Sequence, residues 1–368
     1  MNRRLQEFSK KCYKLEGGST IMKILIADYK EELYSGFNLV NDILKDSYRD
    51  RADVEIEMYE YKDDADFKVK LKDVDVLIIA FIPITKDVLD HAPNLKVISV
   101  DATGYGNVDV EEATRRKIGV CNVREYCTTE VAEHTMGLML ALSRSLKQYE
   151  KQARQGIWSY ETTYTPMRLK NKTIAIFGFG RIGKAVASKA KAFGMQVVVV
   201  DSHVTIIEAL RYGAVLVSKE EALEKADVIT NHMSQQENNK NYFSYEEFSK
   251  VKPDVLFINV ARGEAVDEEA LCDALDRKLI RGAALDVLES ETPDLKNTKL
   301  ATYDNVILTP HAAFYSEESM LELQTITANN AYYYMSGEYD RVFGIVNEEV
   351  VKDLPPHDNN SGNLEASI

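Results

Sequence analysis

Three short stretches carry side chains whose types and spacing could do chemistry. In LTPHAAFYSEES (308–319), His311 directly follows Pro310, just past the apolar run NVIL. An imidazole exchanges a proton near neutral pH, so His311 is a candidate acid/base, although a lone loop histidine can equally be solvated and idle. In IAIFGFGRIGKA, Gly178, Gly180 and Gly183 stand in GxGxxG spacing between the strand-like TIAIF and a helix-like segment. In that setting the first glycine allows a tight turn, the second lets the backbone approach a pyrophosphate, and the third allows close helix–strand packing. The helix that begins there offers free N–H groups to phosphate oxygens. Asp201 closes the run QVVVV 18 residues beyond the last glycine (201 − 183 = 18). An acid at that place accepts from the ribose hydroxyls of NAD and repels the extra phosphate of NADP. Its alternative duty is to cap the next turn. Ser202 and His203 follow with no immediate arginine to welcome a phosphate, so NAD is the expected cofactor.

These residues need a frame. From Met22 the chain alternates short β-rich runs with polar segments of helix length: KILIA, DVEIEMY, DVLIIA, LKVISV and IGVCNV read as buried strands. Continuous apolar strands separated by helices imply a parallel sheet covered on both faces. A long helical stretch, EVAEHTMGLMLALSRSLKQYEKQARQG, follows, with Thr128 and Thr129 as expected caps and Gly156 as its stop. A second strand series then runs through TIAIF, QVVVV, DVIT, VLFINV, GAALDV and NVIL. The helix-like SEESMLELQTITANNAYYYMSG comes after this series is complete, so it is expected to pack back on the first domain. Residues 1–21 read as a loose extension, with Met22 an alternative start, and residues 351–368 as a disordered tail.

Composition bounds the partners. With 45 basic and 59 acidic side chains the net charge is −14, which argues against nucleic acid or an anionic membrane as the main partner. The four cysteines, Cys12, Cys121, Cys127 and Cys272, have neither CxxC nor metal-ligand spacing and read as reduced thiols of a cytoplasmic protein, with no metal expected. No apolar run is long enough to span a bilayer.

With the glycine motif, the segments INVARGEAVDEEAL, GAALDVLESETP and LTPHAAFYSEES resemble the D-isomer-specific 2-hydroxyacid dehydrogenase family, over about 22–347. NVREYCTTEVAEHT and TPHAAFYSEES look most like its bacterial branch related to C-terminal-binding proteins. The resemblance implies an α/β protein of two doubly wound parallel-sheet domains flanking a cleft. One is a discontinuous flavodoxin-like substrate domain (22–124 with 313–350), the other a Rossmann NAD-binding domain (125–312). It places the family's catalytic arginine, glutamate and histidine on Arg262, Glu291 and His311. Glu289 is the competitor for the acidic role. Cofactor contacts fall on Gly178, Gly180, Arg181, Ile182, Gly183, Asp201, His232, Ala261 and Asp286, and substrate contacts on Thr103, Gly104 and Asn107 in DATGYGNVD.

The chemistry agrees with that placement. A guanidinium fork holds a carboxylate and polarises a ketone. An imidazole beside a carboxylate is oriented, and its protonated form favoured. The expected reaction is interconversion of a 2-oxo acid and a D-2-hydroxy acid with NAD. The family also implies a homodimer, with the helix around 136–142 as a candidate contact. Trp158 is expected to pack between elements and His134 to serve core or interface. Val100 stands where some relatives have arginine, and Ser234 where the family usually has proline, which implies a looser cofactor-side loop. Glutamate rather than glutamine at 291 argues against formate oxidation. The short chain beyond Asn347 argues against a regulatory domain of the kind many phosphoglycerate enzymes carry. A dinucleotide-sensing scaffold of the C-terminal-binding-protein type is the competing expectation.

Overall fold

The computed structural model describes residues 21–234 and 239–352. The chain divides into two compact units, one formed by residues up to Tyr126 and from Glu317 onward, the other by Cys127–Ser316. The first holds five parallel strands: β1 (Met22–Asp28), β2 (Val54–Glu60), β3 (Val76–Ile79), β4 (Val97–Val100) and β5 (Gly119–Cys121), in the order β2-β1-β3-β4-β5. The second holds seven: β6 (Thr173–Phe177), β7 (Gln196–Val200), β8 (Ala214–Leu216), β9 (Val228–Asn231), β10 (Val255–Asn259), β11 (Ile280–Leu285) and β12 (Val306–Leu308), in the order β12-β11-β10-β9-β6-β7-β8. All pairings are parallel.

The unbroken apolar runs have a simple cause. Side chains alternate between the two faces of a strand, and both faces are covered. Leu25 and Ala27 enter one core while Ile24 and Ile26 enter another. In β10, Leu256 and Ile258 point one way, Val255 and Phe257 the other. β8 went unseen in the sequence because it is a three-residue edge strand with Val215 exposed.

The helix Glu317–Met335 does return to the first unit. Ala328, Ala331 and Tyr334 join the core of Ile24 and Ile26. Ser99 Oγ donates to the Thr327 carbonyl at 2.9 Å, and Thr327 Oγ1 donates to Asp101 Oδ1 at 2.5 Å.

Several expectations need correction. The long helix is two, Thr128–Ser143 and Leu146–Arg154, parted by Ser145 in a left-handed conformation (φ 55°). Here the Ser143 carbonyl accepts from Met167 N and Ser145 Oγ donates to the Tyr164 carbonyl, so bonds to a later segment replace the helical ladder. Thr128 and Thr129 lie inside the first turn, and the N-cap is Cys127. Gly156 does close the second helix: its φ is 77°, and the Ile157→Gln152 and Gly156→Ala153 bonds form a Schellman motif. Trp158 is 97% exposed rather than packed between elements. In the helix expected as a subunit contact, Met136, Leu138 and Met139 are buried in their own unit's core, while Gly137 is exposed and Leu140 and Leu142 are half-buried. The tail beyond Lys352, the first twenty residues and Cys12 lie outside the described residues. The chain is helical at Glu349–Lys352, and the last two of these residues fall inside the stretch assigned to a disordered tail.

Candidate active site

In the seven-stranded sheet the strand order reverses between β6 and β9, and ligands of such sheets bind in the crevice outside the strands' carboxyl ends. The glycine motif lies there. Gly178 has φ 88°, in the region that favours glycine, and a Cβ on it would sit 2.7 Å from the His232 backbone. A Cβ on Gly183 would sit 2.2 Å from the Gly178 carbonyl oxygen. Gly180 differs: nothing lies within 4 Å of its Cβ position, so its missing side chain leaves open space over the loop. This is the cradle a pyrophosphate needs, at the start of the helix Arg181–Ala192. Arg181 is exposed on its first turn, and Ile182 packs half-buried against the unit's core.

Asp201 faces the same loop. Its Oδ2 accepts from Phe179 N at 2.7 Å and its Oδ1 from His203 N at 2.7 Å. The carboxylate therefore braces the glycine turn and the turn after β7, with lone pairs left for ribose hydroxyls. His232 ends at the switch point with Nε2 2.9 Å from Thr230 Oγ1. Its Nδ1 is buried without a hydrogen-bond partner among the described residues, and burial pushes the ring down to about 3. A ring held neutral in this way cannot carry the reaction's proton near pH 7. The looser cofactor-side loop expected around Ser234 falls in part on residues 235–238, which lie outside the described residues.

Arg262 sits three residues past β10, half-buried. Its Nη1 donates to the Ala261 carbonyl at 2.8 Å, and among the described residues no carboxylate lies within salt-bridge distance. Ala261 N donates to Asn259 Oδ1, and Asn259 Nδ2 donates to the Arg262 carbonyl, so buried Asn259 shapes this turn.

His311 occupies an unusual backbone state, φ 50°. For a residue other than glycine this costs about 1–2 kcal/mol, so it must be held. Asp286 holds it. The Asp286 carbonyl accepts from His311 N at 2.7 Å, and its carboxylate accepts from Ala312 N, Ala313 N and Thr309 Oγ1 at 2.9, 3.0 and 2.5 Å. Expected among the cofactor contacts, buried Asp286 has both oxygens engaged with the histidine loop.

The imidazole thus aimed places Nδ1 2.9 Å from Glu291 Oε2. With a carboxylate as acceptor, Nδ1 donates, which leaves Nε2 to hold or release a proton. Glu289, the competitor, makes no hydrogen bond or ion pair with the ring; its backbone N–H donates to Glu268 Oε1. The close approach of the two loops depends on Gly263, where a Cβ would sit 1.8 Å from the Leu288 carbonyl oxygen. Phe314 meets the His311 ring edge-on, with centroids 6.3 Å apart.

Within the first unit, Asn107 Nδ2 donates to the Ala80 and Ile82 carbonyls at 3.1 and 3.0 Å, fixing the loop from beneath. Thr103 and Gly104 are exposed on that loop. Among the described residues their N–H groups reach no protein acceptor. Phe81, in FIPIT, is also exposed, and its N–H donates to Asp28 Oδ2.

Comparison with known proteins shows the family. The model for "D-isomer specific 2-hydroxyacid dehydrogenase, NAD binding domain" matches residues 136–313. A glyoxylate reductase of Pyrococcus furiosus is 36% identical over 297 residues, which cover 78% of this chain and 86% of that enzyme. The chain belongs to the D-isomer-specific 2-hydroxyacid dehydrogenase family. A D-3-phosphoglycerate dehydrogenase of Methanocaldococcus jannaschii is 38% identical over 271 residues, covering 73% of this chain and 51% of that enzyme, so the chain spans about half its length. A D-lactate dehydrogenase of Aquifex aeolicus, solved with NAD and lactic acid, matches with a TM-score of 0.76 at 26% identity, covering 88% of this chain and 99% of that one. The cofactor of this family member is NAD. The expected kinship with the C-terminal-binding-protein branch, and the scaffold reading with it, gain no support from these relatives.

Other members of the site were missed in the sequence. Asn231, Asn259, Gly263 and Thr309 act through buried bonds or close packing that only folding reveals. The one available signal was polar residues closing apolar strands, in VITN and LFIN. No group of histidine, cysteine, aspartate or glutamate among the described residues is placed to hold a metal, and no described helix is long and apolar enough to cross a membrane.

Proposed function

We propose that this dehydrogenase interconverts a small 2-oxo acid and its D-2-hydroxy acid, with His311 as acid/base, Glu291 orienting it and Arg262 binding substrate. The observation that carries the reading is the 2.9 Å contact between His311 Nδ1 and Glu291 Oε2, made by a ring whose backbone is held in a strained state. Strain of that kind persists where surrounding bonds over-determine it, and it clusters at functional sites. In the reductive direction Nε2 gives its proton to the ketone oxygen, and Glu291 steadies the ring through Nδ1. Arg262, a half-buried cation with no acidic partner among the described residues, holds the substrate carboxylate and polarises the ketone. Within the first unit, Thr103 and Gly104 offer backbone N–H groups to an anionic substrate, on a loop braced by Asn107. NAD, when bound, supplies or accepts the hydride. Asp201 takes the ribose hydroxyls, the cradle at Gly178–Gly183 takes the pyrophosphate, and Arg181, Ile182, His232 and Ala261 line its path.

The first unit serves the substrate and the second the cofactor. Glyoxylate and lactate, named for two relatives, support a 2-oxo acid with a small substituent. Three free thiols, Cys121, Cys127 and Cys272, fit a cytoplasmic setting. The protein works as a homodimer joined through the exposed arm of Trp158 and Tyr160. The test is NADH oxidation against a panel of 2-oxo acids with chiral analysis of the product. Turnover on a small acid to the D product is expected, with kcat reduced about 100-fold or more in His311→Ala. Tight NADH binding with no turnover on any acid would sink the reading.

A further inference from the structure

The family's reaction does not by itself assign a duty to the helix Thr128–Ser143, yet one of its faces touches the histidine loop twice. His134 Nε2 lies 3.1 Å from Thr309 Oγ1 and 3.5 Å from Asp286 Oδ1. One turn earlier, Glu130 Oε1 accepts from Ser316 Oγ at 3.2 Å. Residues four apart share a helix face, so Glu130 and His134 form one surface gripping the loop on both sides of His311. The opposite face is anchored: Val131, Thr135, Met136, Leu138 and Met139 are buried. A helix fixed in the core therefore backs the loop.

The hydrogen-bond order follows from donor counting. Thr309 has one hydroxyl proton, and it goes to Asp286 Oδ1 at 2.5 Å. Thr309 Oγ1 must then accept from His134, which fixes that imidazole with its proton on Nε2. The chain His134 Nε2–H to Thr309 Oγ1–H to Asp286 holds the carboxylate that fastens residues 311–313.

We propose that His134, with Glu130, is a positioning residue that keeps the His311 loop in its left-handed state. It works through Thr309 and Asp286 and touches no reacting atom. The proposal rests on the assignment of His311 as the acid/base, since the loop's position matters to the reaction only if that ring moves the proton. A misplacement of about 1 Å at such a group costs on the order of 100-fold in rate.

The experiment compares His134→Ala, His134→Gln and Thr309→Val with the wild type. It measures kcat and KM on the best 2-oxo acid, NADH affinity, and amide hydrogen exchange. His134→Ala is expected to lower kcat about 10- to 100-fold while NADH affinity stays within about twofold. The 311–313 amides should lose protection, while those of β11 at 283–285 keep theirs. His134→Gln, whose amide can still donate to Thr309, should recover most of the rate. Thr309→Val should mimic His134→Ala, and the double variant should be no worse than the more impaired single one. Unchanged kcat with unchanged protection in both single variants overturns the proposal. So does loss of protection throughout the second unit, which would show a general structural role. If the wild type turns over no acid, the reading of the function fails, and exchange at 311–313 alone decides the clamp.

Discussion

Asp101 gives the sharpest quantitative prediction, because its environment opposes its charge. It follows β4, lies buried, and its side chain accepts from Thr327 Oγ1. Burial, with a smaller contribution from nearby Asp28, raises its carboxyl to about 7. A carboxyl raised by about three units over its unfolded value carries about 4 kcal/mol. The sign follows from proton binding: between about pH 4 and pH 7 the folded protein holds a proton that the unfolded chain has released. The associated stability is complete below the unfolded value and is lost as pH rises through about 7. Asn at this place keeps an acceptor for Thr327 and can never charge. Urea unfolding of wild type and Asp101→Asn across pH 4 to 8.5, followed on the first unit, should therefore give similar stabilities near pH 4. Above about pH 7.5 the variant should be the more stable by up to about 4 kcal/mol. A difference between the two proteins that does not change with pH would refute the reasoning.

Other consequences concern the cofactor and the exposed arm. Asp201→Ala should weaken NADH binding about tenfold, one charge-assisted hydrogen-bond partner being lost, and relax discrimination against NADPH; cofactor titrations by fluorescence would show it, and unchanged preference would contradict the ribose assignment. Gly180→Val should leave the melting temperature almost unmoved, since its Cβ meets nothing within 4 Å, yet cut NADH affinity by more than tenfold. Gly183→Ala should instead destabilise the fold, because its Cβ would lie 2.2 Å from the Gly178 carbonyl. Trp158→Ser with Tyr160→Ser, at side chains 97% and 85% exposed, should shift sedimentation from dimer towards monomer without altering the secondary structure.

Much of the frame was legible because its signals are local. Buried parallel strands must be apolar on both faces, which exposed ten or more strands as plain runs, and GxGxxG announces its turn by sterics alone. The pairing of His311 with Glu291 rather than Glu289 came from the spacing of a family motif, and the contact agrees with it. What stayed hidden depends on distance along the chain. Ser145 breaks a helix because its neighbours bond residues some twenty positions away. Asp286, expected as a cofactor contact, also gathers the loop amides, a duty that no local signal announces. Trp158 looked like packing material, since apolarity in a sequence does not distinguish a core from a surface awaiting a partner. His134 fits the apolar helix pattern poorly, yet its use became visible only once Thr309, 175 residues later, lay beside it.

The central claim is that the His311 ring delivers the proton under the guidance of Glu291. The most direct measurement is the single-turnover rate of NADH oxidation with saturating 2-oxo acid, in wild type, Glu291→Gln and His311→Asn, each first shown to bind NADH normally. The account predicts a loss of about 10- to 100-fold for Glu291→Gln and about 100- to 10,000-fold for His311→Asn. Turnover in His311→Asn at close to the wild-type rate would contradict it.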